Sequence, residues 1–310
     1  MTPRPKAGAL RAGVIGAGVF GGYHAAKWAG FEGAALAAVL DTHQDRAIAL
    51  AERHGALAPD SAGAFFDAVD VVSIASPAHT HADWALAALA AGKPVYVEKP
   101  LATDLGKADA IAAEAARRGL TVACGFLERA PFRAMGLFSV PEAPLFLEAV
   151  RLGVASPRNL DVSVVLDLMI HDLDLALAVG RGAPFAVEGE GARVANDEID
   201  EAEAEVSFDD GFVARFRSSR VAAGPERTMR LVFPSGELRI DFLTGAFENT
   251  TPFALDEDFA STPDGRDRLG ASLHAFLRAA RGETSRPLAD AVDGVRALDL
   301  ALAVQQAAGG

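Results

Sequence analysis

Gly16-Ala17-Gly18-Val19-Phe20-Gly21 stands between an apolar run, Ala12 to Ile15, and an Ala-rich stretch reaching about Ala29. The run reads as a buried strand and the stretch as a helix, so the glycines fall at a strand-to-helix turn. There Gly16 permits a tight turn, Gly18 lets the backbone approach a pyrophosphate, and Gly21 allows close helix–strand packing. Val19 and Phe20 occupy the first turn of the helix, whose N–H groups point at an anion. A lone Gly-x-Gly-x-x-Gly is a weak signal, and the next strand strengthens it. Leu36 to Leu40 reads as that strand, and Asp41 ends it. A carboxylate at that point meets the adenosine ribose hydroxyls and repels a 2′-phosphate, which favours NAD without excluding NADP. The alternative is that Asp41 caps the following helix, Gln44 to His54. Arg46 on that helix could stack on adenine or tolerate a phosphate.

The pattern continues as an alternation of strands and helices. Val69 to Ala75, Pro94 to Val97 and Leu120 to Cys124 read as strands. His81 to Ala91 and Leu105 to Arg118 read as helices, with Gly92 and Gly119 placed as left-handed caps. Unbroken apolar strands separated by helices predict a parallel, doubly wound sheet, a Rossmann domain over residues 10–124. After residue 125 the pattern changes. Glu201-Ala202-Glu203-Ala204-Glu205-Val206 alternates with a period of two, and Asp209-Asp210-Gly211 and Ser235-Gly236 read as hairpin turns. The span 125–310 therefore predicts an α+β domain with a large, mainly antiparallel open sheet. One helix, Asp167 to Val179, interrupts it. Two more, Leu269 to Ala280 and Ala289 to Ala307, close the chain, and the last could pack back on the first domain. Residues 245–266 read as loop, and residues 1–9 as a loose tail.

Composition narrows the function classes. The chain has 310 residues, 50% of them hydrophobic, with a net charge of −13 and no dense Lys/Arg cluster. That excludes a disordered chain and disfavours a nucleic-acid partner. No apolar run approaches the ~20 residues of a membrane span. The single cysteine, Cys124, fits a reducing cytoplasm, and no Cys/His cluster has metal-ligand spacing.

In open α/β sheets ligands lie beyond the C-terminal strand ends. Two such ends carry polar residues: Ser76-Pro77-Ala78-His79-Thr80-His81 and Glu98-Lys99-Pro100. A lysine there can polarise a hydroxyl or carbonyl, or serve as a base if desolvated. Taken alone, Glu98-Lys99-Pro100 reads equally as a surface ion pair at a turn. In the later helix, at about 100° per residue, His171 lies roughly 40° from Asp167 and Asp174 roughly 20° on its other side. Three polar residues thus share one face. That face is a solvated stripe, a metal site that nothing nearby completes, or a catalytic face with His171 as proton acceptor.

These segments together resemble the glucose–fructose oxidoreductase / inositol 2-dehydrogenase / rhizopine-catabolism (Gfo/Idh/MocA) family. The matching residues are Gly16-x-Gly18-x-x-Gly21-x-x-His24, Ser76-Pro77 with His81, Gly92-Lys93-Pro94-Val95-Tyr96-Val97-Glu98-Lys99-Pro100 and Asp167-x-x-x-His171. The resemblance implies an NAD(P)-dependent dehydrogenase acting on a secondary alcohol of a sugar, cyclitol or nucleotide-sugar. It implies a cis peptide before Pro100, and Lys99, Asp167 and His171 as catalytic and substrate-binding residues. It further implies Arg129 as a substrate contact and Ser76, Pro77, His81, Glu98 and Lys99 as residues lining the cofactor. It also implies a homodimer or homotetramer through the second-domain sheet. The wording from Asp167 to Asp174 is similar to members that oxidise the 3-hydroxyl of UDP-N-acetylglucosamine. Where many members read Gly-His-x-Glu-Arg-Phe-Asn-Pro, this chain reads Gly125-Phe126-Leu127-Glu128-Arg129-Ala130-Pro131-Phe132. That departure bears on substrate choice. The competing readings are a dinucleotide-binding regulator without turnover, which would have no need of Lys99 and His171, and a reductase of a non-carbohydrate substrate.

Overall fold

The computed structural model describes residues 9–156 and 162–309, so the expected N-terminal tail lies outside the described residues except for Ala9. The chain divides into two units. Residues up to Phe126 and Leu269–Val295 form the first, and Leu127–Arg268 with Arg296–Gly310 form the second.

The first unit is built on five parallel strands in the order β2-β1-β3-β4-β5. These are β1 (Leu10–Ile15), β2 (Ala34–Leu40), β3 (Val71–Ile74), β4 (Val95–Val97) and β5 (Val122–Cys124). Between them run α1 (Val19–Gly30), α2 (Gln44–His54), α3 (Ala62–Ala68), α4 (His81–Ala90) and α5 (Leu105–Arg118). The helix limits follow local chemistry. The Asp104 carboxylate caps α5 by accepting the Lys107 N–H at 2.9 Å, and Gly119 closes it at φ +65°. Gly55 and Gly92 hold φ of +68° and +74° at the ends of α2 and α4. Helix α3 has no counterpart in the sequence reading; Ser61 caps it, and Phe65 and Phe66 bury its apolar side.

The second unit contains α6 (Arg129–Met135), a π-helical turn (Val165–Met169) continued by α7 (Ile170–Val179), and a seven-stranded sheet. The strands are β6 (Phe146–Leu152), β7 (Pro184–Ala192), β8 (Glu201–Phe208), β9 (Val213–Ser219), β10 (Glu226–Phe233), β11 (Gly236–Asp241) and β12 (Phe247–Asn249). Their order is β12-β11-β10-β6-β9-β8-β7, with every pairing antiparallel except β6 with β9. The alternation in β8 is realised as expected. Ala202, Ala204, Val206 and Phe208 are buried, while Glu203 and Glu205 reach Arg217 and Arg215 on the opposite face. The 245–266 stretch is not wholly loop. It holds β12 and α8 (Pro263–Arg266), because Phe259 is buried against Phe247 and ties the segment down.

After α8 come α9 (Arg268–Ala280) and α10 (Ala291–Ala307). The continuous second domain expected over 125–310 is interrupted here, since Leu269–Val295 groups with the first unit. Phe276 explains the return. Its ring packs edge-on against Trp28 and Tyr96, and the Tyr96 hydroxyl meets Ser272 Oγ at 3.0 Å. Burying one such phenylalanine contributes about 1.5–3 kcal/mol. The chain also comes back to the sheet edge, where the Cys124 N–H donates to Ala289 O. Among the described residues, no helix is long and apolar enough to cross a membrane.

Candidate active site

In the first unit the glycine-rich turn is shaped by close approach. Gly16 sits at φ +100°, and a Cβ there would come within 2.7 Å of Ala75 O and Ser76 N. A Cβ on Gly21 would stand 1.7 Å from Gly16 O, so only glycine lets α1 leave the strand so tightly. Gly18 differs from both. No protein atom lies within 4 Å of the place its Cβ would take, and its backbone is extended. The space above Gly18 is therefore open, and the first turn of α1, with Val19 and Phe20 exposed, faces it. A dinucleotide pyrophosphate fits this cradle, and no other requirement of the turn accounts for Gly18.

Asp41 closes the cradle from β2. Its Oδ2 accepts the Ala17 N–H at 2.6 Å and its Oδ1 accepts the His43 N–H at 2.7 Å. The carboxylate thus braces the loop and makes a local turn before α2, and each oxygen keeps a lone pair for a ribose hydroxyl. Arg46 is exposed on α2, with its backbone N–H bonded to His43 O.

At the ends of β3 and β4 the structure sorts the expected cofactor residues into two groups. Ser76 and Pro77 remain accessible, and Ser76 Oγ meets Thr80 Oγ1 at 2.7 Å. His81 and Glu98, expected along the cofactor, are buried and bonded to the protein. The His81 ring is buried with Nδ1 2.7 Å from Pro100 O and Nε2 2.9 Å from Ser76 O. It therefore ties one strand-end turn to the other. Burial pushes its imidazole below the ordinary histidine range, against the pull of the two carbonyls and Glu98. Glu98 is buried on His24 of α1, Oε1 to Nε2 at 2.9 Å, and its Oε2 lies where a Cβ on Gly125 would collide at 2.8 Å. Both groups bond to the protein, and what they hold is the turn carrying Lys99. The Lys99–Pro100 peptide is cis, as the resemblance implies, and Lys99 is half-buried.

In the second unit Asp167 lies inside the π-helical turn and His171 in the first turn of α7, both half-buried. A single π turn within a helix recurs at functional sites, because the extra residue re-aims side chains. It also breaks the 100° spacing on which the shared face was counted. Asp174, three residues beyond His171 in the regular part of α7, is not a solvent-facing residue. It is 1% exposed and receives Arg129 in a bidentate pair, Nε to Oδ2 at 2.8 Å and Nη2 to Oδ1 at 2.7 Å. Arg129, expected at the substrate, thereby ties α7 to α6 through Nε and Nη2. Among the described residues, no group of three or more His, Cys, Asp or Glu side chains could hold a metal.

Beneath α7 lies a buried ionic cluster that the sequence reading missed. Arg151 on β6 clasps Asp172, Nε to Oδ2 at 2.8 Å and Nη2 to Oδ1 at 2.7 Å, and reaches Glu128 Oε1 through Nη1 at 3.1 Å. Arg268 takes Glu128 Oε2 at 2.6 Å. The residue next to His171 is thereby fixed to the sheet. The only sequence signal was Arg151 on the buried face of an alternating strand, which demands a carboxylate partner without naming it. Burial pushes the Glu128 carboxyl up, but the guanidiniums of Arg151, Arg268 and Arg227 outweigh it and hold it below the ordinary range. A depressed carboxylate contributes stability that is complete above the unfolded-state value and is lost as pH falls through the folded one. Urea midpoints taken from neutral to acid pH should therefore fall below the ordinary glutamate range, and Glu128→Gln should flatten that acid limb. An unchanged limb would count against the assignment.

A strand–glycine turn–helix cradle, a carboxylate at the next strand and a lysine presented at a strand end define a nicotinamide-dependent oxidoreductase. Comparison with known proteins agrees. Residues 10–126 match the oxidoreductase family with the NAD-binding Rossmann fold, and residues 155–239 match the Gfo/Idh/MocA C-terminal domain. UDP-N-acetylglucosamine 3-dehydrogenase of Acidithiobacillus ferrooxidans is 36% identical over 311 residues, covering 96% of this chain and 97% of its own. A solved structure of that enzyme superposes with a TM-score of 0.88 at 35% identity, over 96% of this chain and 97% of the other. Inositol 2-dehydrogenase of Acidothermus cellulolyticus is 35% identical over 177 residues, 54% of this chain and 52% of that relative. The chain belongs to the Gfo/Idh/MocA family of NAD-binding oxidoreductases.

Proposed function

We propose that the chain is an NAD-dependent dehydrogenase interconverting a secondary alcohol and a ketone on a nucleotide-sugar, with the 3-hydroxyl of UDP-N-acetylglucosamine the first substrate to test. The observation that carries this reading is the likeness to an enzyme of that name across nearly the whole of both chains. When bound, NAD supplies the acceptor for the hydride that leaves the carbinol carbon. His171 takes the hydroxyl proton, a task suited to an imidazole, whose ring nitrogen can accept it. The Lys99 ammonium stabilises the oxygen as negative charge develops on it, and Asp167 holds the hydroxyl and imidazole in register. Glu98, His81 and Arg129 position these groups through their bonds to His24, to the Ser76 and Pro100 carbonyls, and to Asp174. We also propose a cytoplasmic homodimer or homotetramer joined through the exposed sheet face that bears Glu203, Arg215 and Arg217. The exposed cross-strand pairs on that face support it.

Purified protein with NAD and UDP-N-acetylglucosamine should raise the absorbance of reduced nicotinamide. Lys99→Ala and His171→Ala should retain NAD binding and lose activity by about 10²–10⁴-fold, the range of general acid–base contributions. Undiminished turnover in both variants would sink the mechanism. Absence of turnover on UDP-sugars, with turnover on inositols or free sugars, would move the substrate. Sedimentation of the full chain reads the oligomeric state.

A further inference from the structure

The ionic cluster of the second unit does not balance. Arg151, Arg227 and Arg268 surround Glu128, and among the described residues the only other carboxylate engaged is Asp172, already clasped by Arg151. Three guanidiniums against two carboxylates leave one positive charge. The geometry says which residue carries it. Arg151 donates to Glu128 Oε1 at 3.1 Å and Arg268 to Oε2 at 2.6 Å, so both oxygens have a bonded partner. Arg227 approaches Oε1 only to 3.6 Å, too far for a hydrogen bond, and its Nε is buried with no hydrogen-bond partner among the described residues.

Register makes the placement costly. Arg227 on β10 lies directly opposite Arg151 on β6, and like charges facing across antiparallel strands destabilise a sheet. Burial and the charges of Arg151 and Arg268 pull the Arg227 guanidinium below the ordinary arginine range, with Glu128 and Asp172 opposing them. A group present only to neutralise Glu128 would sit closer to it and would not be the third of its kind. The Arg227 side chain is 36% exposed whereas that of Glu128 is 6% exposed, so a diffusible anion can reach the arginine and not the glutamate. One residue further along the same cluster, Asp172 adjoins His171.

We infer that Arg227 is a substrate-recognition residue whose surplus charge binds a phosphoryl oxygen of the diphosphate in a nucleotide-sugar. This deepens the proposed function and rests on it for the identity of the phosphate's carrier. A guanidinium is suited to the task, because its planar fork matches phosphate oxygens and it remains charged when partly desolvated.

The test uses the full chain with NAD saturating, so that the phosphate cradle at Gly18 is filled and any further diphosphate reports on the substrate side. Calorimetric titration with inorganic pyrophosphate should show binding, weakened about 10–100-fold in Arg227→Gln and less in Arg227→Lys. KM for UDP-N-acetylglucosamine should rise by a similar factor in Arg227→Gln while kcat changes little. Removing a surplus cation should leave the melting temperature unchanged or higher, whereas a structural counter-ion would lower it. Pyrophosphate that fails to bind the wild type, or binds Arg227→Gln equally well, overturns the inference. So does a lowered melting temperature with unchanged affinity, and if Arg227→Gln does not fold, the Arg227→Lys titration decides alone. Pyrophosphate binding that depends on Arg227 without turnover of any UDP-sugar would keep the anion site and reject the proposed substrate.

Discussion

Arg151→Ala should unfold at markedly lower urea, having lost about 3–5 kcal/mol, because the change strands buried charge. Asp172 is 3% exposed, and both of its oxygens are held by Arg151. Without that guanidinium it must either remain ionised without a partner or protonate. Glu128 would keep Arg268 and gain a closer Arg227, so the loss falls chiefly on Asp172. Two comparisons isolate this cause. Asp172→Asn removes one charge and should cost less, and Arg151→Ala combined with Asp172→Ala should recover part of the loss, because no charge is then stranded. Activity should fall along with stability, since Asp172 fixes the turn of α7 that carries His171. A loss under about 1 kcal/mol in Arg151→Ala would show that the cluster is solvated rather than structural.

Gly21→Ala should abolish NAD binding and destabilise the first unit together. The added Cβ would lie 1.7 Å from the Gly16 carbonyl oxygen, a backbone atom that no rotamer can move. Either α1 shifts, taking its first-turn N–H groups away from the pyrophosphate, or the Gly16 turn opens. Gly18→Ala is the informative partner. Nothing in the protein obstructs a Cβ there and the backbone conformation suits alanine, so its melting temperature should match that of the wild type. Its affinity for NAD, read by fluorescence titration, should nonetheless fall by about tenfold or more, because the methyl would occupy ligand space. Equal affinity in Gly18→Ala and wild type would mean that the pyrophosphate lies elsewhere.

These contrasts mirror what could be read from the chain. The limits of α2 and α5 were legible to the residue, since Gly55, Asp104 and Gly119 act on their nearest neighbours. So was the parallel order of strand and helix, and the cradle with Asp41 closing it. The polar helix was legible as a helix, but its π turn was not. A local insertion changes the phase of a face without leaving a mark in composition. A return of the last helix to the first domain was foreseen, but not that the returning residues are Leu269–Val295, because an amphipathic helix declares that one face must be buried and not against what.

The cradle, the parallel sheet and the family to which the chain belongs were determined by the sequence itself, through glycines whose φ or clearance is set within a few bonds and apolar periods read over ten to thirty residues. Tertiary structure alone decided how the charged residues divide. Glu98 pairs with His24, His81 with the Ser76 and Pro100 carbonyls, and Arg129 with Asp174. Arg227 was left farther from Glu128 than Arg151 and Arg268 are, at 3.6 Å. The reason is physical. A buried charge requires a partner, but which partner it takes depends on strands and helices brought together from distant parts of the chain.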